Sequence, residues 1–355
     1  MRVARRALLA LAASGLAGCA AAPPAALPPE GGGHPGPGHP PPASHFRPLT
    51  LPGSNGHWLQ ALERGARSAP LRYRVIVIPG SGCAGMGAMA ERYFAGLLHA
   101  QVLVLHKPGV APEARTPPGH CPPDFVQADA LDQWQAHAAA ALQHWLARQA
   151  PPALPTLLVG ISEGGELLPG LAASLQQPVS QPAPPPPPAP QPAPPLAGLV
   201  LLSASGLDPR EAGALQAART GHSGAWQQLE QQVQQLEPPP APALGRSTGP
   251  ARLLQGRSQR YWQVLWRWPV AQPLIDGPWP LLQVWGEADE QVPAQAYWRF
   301  AARARQRQAP YCARPLSAAG HDLQSPARDG VQLTWGWVEQ WMRSGQPWQC
   351  TAEVL

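Results

Sequence analysis

Lysine is almost missing from this sequence: Lys107 is the only one among 355 residues. Positive charge is carried by arginine, in a composition tilted to Ala, Pro and Gly of the kind that G- and C-rich codons produce, so the abundance of arginine and proline carries little functional meaning. The formal net charge is +5, and Arg2, Arg5 and Arg6 supply three of those charges. The remainder is nearly balanced, and no Arg/Lys cluster is interleaved with aromatics, which excludes a nucleic-acid-binding surface. No C-x-x-C or H-x-x-x-H spacing occurs, so no metal site is expected. Long apolar runs are lacking too. The longest, Ala7–Ala17, is too short to span a bilayer.

That short run is informative. It follows three arginines, has the length of a signal-peptide core, and ends in Leu16-Ala17-Gly18-Cys19. The ending resembles the lipobox of bacterial lipoproteins. The resemblance implies removal of residues 1–18, lipidation of Cys19 and, from Ala20, sorting to the outer membrane, where the protein would face the periplasm. Several acyl chains on one residue anchor stably, at roughly 0.8 kcal/mol per buried methylene. Setting Cys19 aside leaves Cys83, Cys121, Cys312 and Cys350, an even number suited to an oxidising compartment. Of the three possible pairings, Cys83–Cys121 and Cys312–Cys350 are expected, each joining neighbouring elements; buried free thiols are the alternative.

Residues 19–45 hold almost no large apolar side chain and read as a Pro/Gly-rich tether, within which His34, His39 and His45 are scattered. From Phe46 onward short β-type runs alternate with helical patterns. Strands are expected at residues 57–62, 74–78, 101–105, 157–160, 199–203, 281–285 and 312–316. Helices are expected at 91–99, 124–149, 164–175, 294–306 and 328–342. Most of the strands lack polar alternation, which indicates a mostly parallel sheet covered by helices on both faces, an α/β class. A Pro-rich stretch at 178–195 reads as an exposed polyproline-II loop. Residues 207–279 are too long for a loop and have helical stretches at 212–218, 226–236 and 252–268, so a helical cap is expected there, inserted between core segments 46–206 and 280–355.

Chemistry concentrates where the 157–160 strand meets the next helix. The turn reads Gly160-Ile161-Ser162-Glu163-Gly164, a G-x-S-x-G pattern whose small residues permit a tight strand-to-helix elbow that lifts Ser162. A serine hydroxyl needs a base, and the base needs a carboxylate to fix its tautomer. Two histidines follow Ser162: His222, inside the expected cap, and His321 in a small-residue loop after the last strand, so His321 is the candidate base. The carboxylate should follow the 281–285 strand, where Asp289 is the candidate, with Glu287 and Asp208 as competitors. The backbone N–H of Glu163 is placed to donate to an oxyanion, and a second donor is expected from Ser81 or Gly82 in Pro79-Gly80-Ser81-Gly82-Cys83-Ala84-Gly85.

With these residues, the chain from about 46 to 343 resembles the α/β-hydrolase superfamily of serine hydrolases. The matching parts are Pro79-Gly80, the Ser162 elbow, Gly286–Asp289 and Gly320-His321. It departs from many members in having Pro79-Gly80 for His-Gly, and His106-Lys107-Pro108-Gly109 for an acidic-Arg-Gly loop. The resemblance implies hydrolysis of a small-molecule ester or amide through an acyl-enzyme on Ser162, His321 and Asp289, without a cofactor. A carboxylesterase is the first reading; a peptidase or amidase, or a non-catalytic binding lipoprotein, are the others. The aromatic run Tyr261, Trp262, Leu265, Trp266 and Trp268 either lines an acyl pocket or packs the cap onto the core.

Overall fold

The computed structural model describes residues 44–117, 119–149, 154–176, 196–236 and 253–345. The expected signal segment, Cys19, the Pro-rich loop 178–195 and Cys350 lie outside these, and so does the Cys312–Cys350 pairing. Ten strands are used below: β1 (Arg47–Pro52), β2 (Trp58–Arg64), β3 (Tyr73–Ile78), β4 (Ala100–Leu105), β5 (Thr156–Ile161), β6 (Leu196–Leu202), β7 (Leu253–Leu254), β8 (Arg257–Ser258), β9 (Leu281–Gly286) and β10 (Tyr311–Leu316). Among the described residues, eight of them form one sheet in the order β1-β2-β4-β3-β5-β6-β9-β10. The first two pairings are antiparallel and the other five parallel.

The apolar runs explain the layering. Every residue of β3, β5 and β9 is buried, as strands covered on both faces must be. Side chains alternate between two cores. On one face Ile76, Ile78, Leu103, Leu158 and Leu201 pack with Leu131, Trp134, Leu142 and Trp145. On the other Val75, Val77, Val104, Val159 and Val284 pack with Phe94, Trp335 and Trp341. The helices are α1 (Ala90–Tyr93), α2 (Pro123–Ala128), α3 (Leu131–Ala147), α4 (Leu168–Gln176), α5 (Pro209–Arg219), α6 (Ser223–Gln234), α7 (Gln259–Leu265), α8 (Ala271–Asp276), α9 (Ala294–Ala304) and α10 (Gly330–Ser344).

Several sequence expectations are corrected. The helix expected at 91–99 shrinks to α1, because the chain turns at Phe94 and Leu97 to place both in the core while Arg64 bonds their carbonyls. The helix expected at 124–149 is two helices. It breaks at Asp129-Ala130, where the Asp129 carboxylate turns inward to Lys107. The helix expected over 252–268 begins as a β7–β8 hairpin and becomes helical only at Gln259, where Ser258 caps α7 by accepting from the Tyr261 N–H. β1 is not among the expected strands: its apolar alternation is only Leu49 and Leu51, of which Leu51 alone is fully buried, as suits an edge strand holding Pro48 and Pro52.

The loops that follow β3 and β4, two interior strands, are tied together. Cys83 and Cys121 are disulfide-bonded, with Cα atoms 5.7 Å apart, as expected. The Gly85 and Gly87 N–H groups donate to the carbonyls of Ala114 and Pro112, so segments 81–87 and 110–114 are laced together. His106 adds a further tie by accepting from the Met86 N–H at Nε2, 3.0 Å away. Burial lowers its pKa to about 4, so the imidazole that holds this loop is neutral.

Candidate active site

Ser162 follows the last residue of β5 and opens a 3-10 turn, Ser162–Leu167, that runs into α4. Its φ is 51°, in the left-handed region that non-glycine residues rarely occupy. The neighbours hold it there. A Cβ on Gly160 would lie 2.4 Å from the Gly165 Cα, and one on Gly164 would lie 2.2 Å from the Ile78 carbonyl oxygen. Only glycine permits the elbow to fold back on β3 and β5 in this way. Strain of this kind is tolerated where surrounding structure over-determines it, which is typical of a functional turn.

His321 and Asp289 meet Ser162 from the β9 and β10 end of the sheet. His321 Nε2 lies 3.1 Å from Ser162 Oγ, and its Nδ1 lies 2.8 Å from Asp289 Oδ2. This arrangement suits a neutral imidazole that donates from Nδ1 and accepts from the serine hydroxyl at Nε2. Both His321 and Asp289 are buried. Asp289 also accepts at Oδ2 from the Tyr297 hydroxyl (2.6 Å) and at Oδ1 from the N–H groups of Gln291 and Val292 (2.8 Å each). Burial pushes the carboxyl up, but the His321 hydrogen bond and charge, with Tyr297 and Val292, bring it below its ordinary range. A depressed carboxylate stabilises the fold above its unfolded pKa of about 3.9, and that contribution is lost as pH falls through the lower folded value. The His321 loop is fixed as well, since Ser203 donates to its carbonyl at 2.6 Å.

The competing groups sit elsewhere. Asp208 accepts from the N–H groups of Val270 and Ala271, pinning the start of α8, and Glu287 pairs with Ser317 at the surface. His222 contacts Thr220 through Nδ1. For Asp289→Asn we expect kcat to fall about 10⁴-fold with the fold retained, because the amide no longer enforces the imidazole tautomer. Steady-state kinetics with a melting curve checks this, and near-wild-type turnover would remove Asp289 from the site.

A cavity of about 130 Å³ opens beside the serine, bordered by Ser81, Glu163 and His321. Of the two residues expected ahead of Cys83 to supply an amide, Ser81 is among those lining the cavity and Gly82 is not; Gly82 has a φ of 90°. Trp226, Trp262, Leu265, Val270 and Val292 give the cavity an apolar wall, and among the described residues no arginine or lysine lines it. The aromatic run thus divides its labour. Trp262 and Leu265 line the cavity, Trp266 stacks on Trp226, and Trp268 donates to the Glu166 carbonyl.

Sequence reasoning placed only the backbone of Glu163 in the site and missed its side chain. Glu163 Oε2 lies 2.5 Å from Lys107 Nζ, and Oε1 accepts from the Tyr261 hydroxyl at 3.0 Å. Lys107 also donates to Asp129 Oδ1 (3.0 Å), and Arg257 donates to Asp129 Oδ2 (2.6 Å). The Lys107 ammonium stands 4.5 Å from the centre of the Trp134 ring. Burial opposes both charges, yet Asp129 and Glu163 raise the Lys107 pKa overall, and Lys107 and Arg257 lower that of Glu163. Glu166 behaves differently. Burial, followed by the charge of Glu163, holds its carboxyl well above the usual range where it borders the cavity. The single lysine was the signal available in the sequence, and nothing local pointed to its partners.

No family model matches this sequence, and no curated protein matches it. Solved structures do match in fold. A protein of Agrobacterium vitis S4 aligns at TM-score 0.52 and 16% identity over 84% of this chain and 98% of its own. The thermophilic esterase Est2 of Thermogutta terrifontis aligns at 0.50 and 14%, covering 88% and 97%. Est1E of Butyrivibrio proteoclasticus, solved with ferulic acid bound, aligns at 0.50 and 16%, covering 83% and 98%. Together with the sheet order, this shows an α/β-hydrolase fold.

Proposed function

We propose that this α/β-hydrolase-fold chain is a serine hydrolase that cleaves carboxylic esters through an acyl-enzyme on Ser162. The observation that carries the reading is the continuous hydrogen-bonded line from Ser162 Oγ through His321 to Asp289. In the forward step Ser162 Oγ attacks the ester carbonyl carbon while His321 Nε2 takes its proton. The carbonyl electron pair moves to oxygen, which the Glu163 amide and the amide of Ser81 or Gly82 receive. His321 returns the proton to the leaving alcohol as the tetrahedral centre collapses, and water repeats the sequence to free the acid. Asp289 stays ionised and balances the imidazolium.

The cavity supports a neutral substrate of small to medium size. Its walls are largely apolar, its lining among the described residues includes no arginine or lysine to meet an anionic group, and the Glu166 carboxyl at its border is held well above the usual pKa range. A panel of uncharged acyl esters, a hydroxycinnamoyl ester and aminoacyl amides tests the reading directly. Ester turnover abolished by a fluorophosphonate is the expected result. Amide turnover alone would make it a peptidase, and equal fluorophosphonate labelling of wild type and Ser162→Ala would make it a binding protein.

We further propose, from residues 2–20 of the sequence alone, that lipidated Cys19 anchors the chain to the outer membrane. Cys19→Ser should move the protein from the membrane to the soluble fraction. Unchanged fractionation would refute lipidation.

A further inference from the structure

The residue that follows the nucleophile has two ends with different tasks. Its N–H, at the second position of the 3-10 turn, lies among the leading donors that a helical turn leaves unpaired and is the proposed oxyanion donor. Its carboxylate is buried among Lys107, Tyr261, Asp129 and Arg257. Two of these, Arg257 and Tyr261, belong to the insert between β6 and β9, and the Arg257 guanidinium lies over the Tyr261 ring at 4.8 Å. Stability alone is a poor account of four buried charges, since well-packed apolar groups in their place are often as stable or more so.

We propose that Lys107 and Tyr261 are positioning residues for the oxyanion-binding amide, acting through the Glu163 side chain, and that Arg257 and Tyr261 make its alignment depend on the docked insert. The inference rests on the hydrolase reading above. The direction of the Glu163 N–H is set by the Ser162 torsions, which sit in a disfavoured well. Fixing the next side chain at both carboxylate oxygens restrains the intervening peptide from relaxing out of that well. An oxyanion donor must be held to within about 0.5 Å of its productive place, so a modest rotation weakens it.

The test compares wild type, Tyr261→Phe and Glu163→Gln, each as the full chain. It uses an acyl ester as substrate and a trifluoromethyl ketone as inhibitor. The ketone accepts Ser162 Oγ at its carbonyl carbon, with the serine proton passing to His321 and the carbonyl pair becoming an oxyanion. Losing one oxyanion donor outright costs on the order of 10² to 10³ in kcat, and misaligning one costs less. For Tyr261→Phe we expect kcat to fall about tenfold, KM to stay within about twofold, and the inhibition constant of the ketone to rise in parallel with the loss in kcat. Unchanged kcat and inhibitor affinity with a lowered melting temperature would overturn the proposal and leave a purely structural cluster. A rise in KM alone would overturn it too, making Tyr261 part of the pocket wall. Should Tyr261→Phe fail to fold, Glu163→Gln, which keeps the side-chain shape and an acceptor for Tyr261, supports the same comparison. Wild type inert toward both ester and ketone would instead sink the hydrolase reading, and the proposal with it.

Discussion

Ser162→Ala should lower kcat on an ester by on the order of 10⁶-fold, about 8 kcal/mol of transition-state stabilisation, while the protein melts within a few degrees of wild type. The size of the effect follows from the unit that the serine completes. His321 is buried, hydrogen-bonded to Asp289 and aimed at Ser162 Oγ, so removing the hydroxyl removes the group it is placed to activate. What remains should be the modest acceleration that the oxyanion donors and the cavity give to water. The fold should be indifferent, because the glycines on either side shape the elbow and alanine accepts the φ of 51° about as well as serine does. Burst kinetics with a chromogenic ester and fluorophosphonate labelling measure both sides. A variant that still turns over would show that Ser162 is not the nucleophile.

Lys107→Met should be the most destabilising single change near the site, costing about 3–5 kcal/mol. Methionine matches the volume but leaves Glu163 and Asp129 buried together with Arg257 as their one remaining cation among the described residues. Against a total stability of about 5–15 kcal/mol this is a large share, enough to lower the melting temperature by roughly 10 °C. The pH dependence has a definite sign. In wild type the Glu163 carboxyl is held below its ordinary range, so it stabilises the fold above an unfolded pKa of about 4.3 and ceases to as pH falls through the folded value. Without the ammonium its folded pKa rises, and protonation relieves the variant as pH falls. The gap between the two proteins should therefore be widest near neutrality and narrow on acidification. Thermal melts at pH 7 and pH 5 read this directly; a gap that stays constant or widens would mean Lys107 does not hold these carboxylates.

The contrast between the two predictions mirrors what the sequence could disclose. Ser162, Asp289 and His321 were legible because each sits in a short local pattern, and their order along the chain limits the choices. The parallel core strands were legible for the same reason, as uninterrupted apolar runs. The ion cluster was not. Lys107 reaches Asp129 across 22 residues and Glu163 across 56, while Arg257 and Tyr261 reach back 128 and 98. No periodicity links positions at those separations. The break between α2 and α3 was hidden for a related reason. Helical spacing continues through Asp129, and only its distant partner draws the chain off course. At β1 the cause is different, since an edge strand with one buried residue leaves almost no hydrophobic trace.

The parallel register of β5 and β6 has a practical consequence. Thr156 lies beside Leu196, and Ile161 beside Leu202. Leu196 therefore opens β6 about six residues, or about 20 Å at 3.3 Å per residue, from the serine that follows β5. The described chain thus re-enters the sheet at Leu196, at the end of β6 far from Ser162. A tag, a fluorophore or a second protein spliced in immediately ahead of Leu196 should therefore leave the separation of Ser162, Asp289 and His321 unaltered, with melting temperature and ester turnover as the readouts.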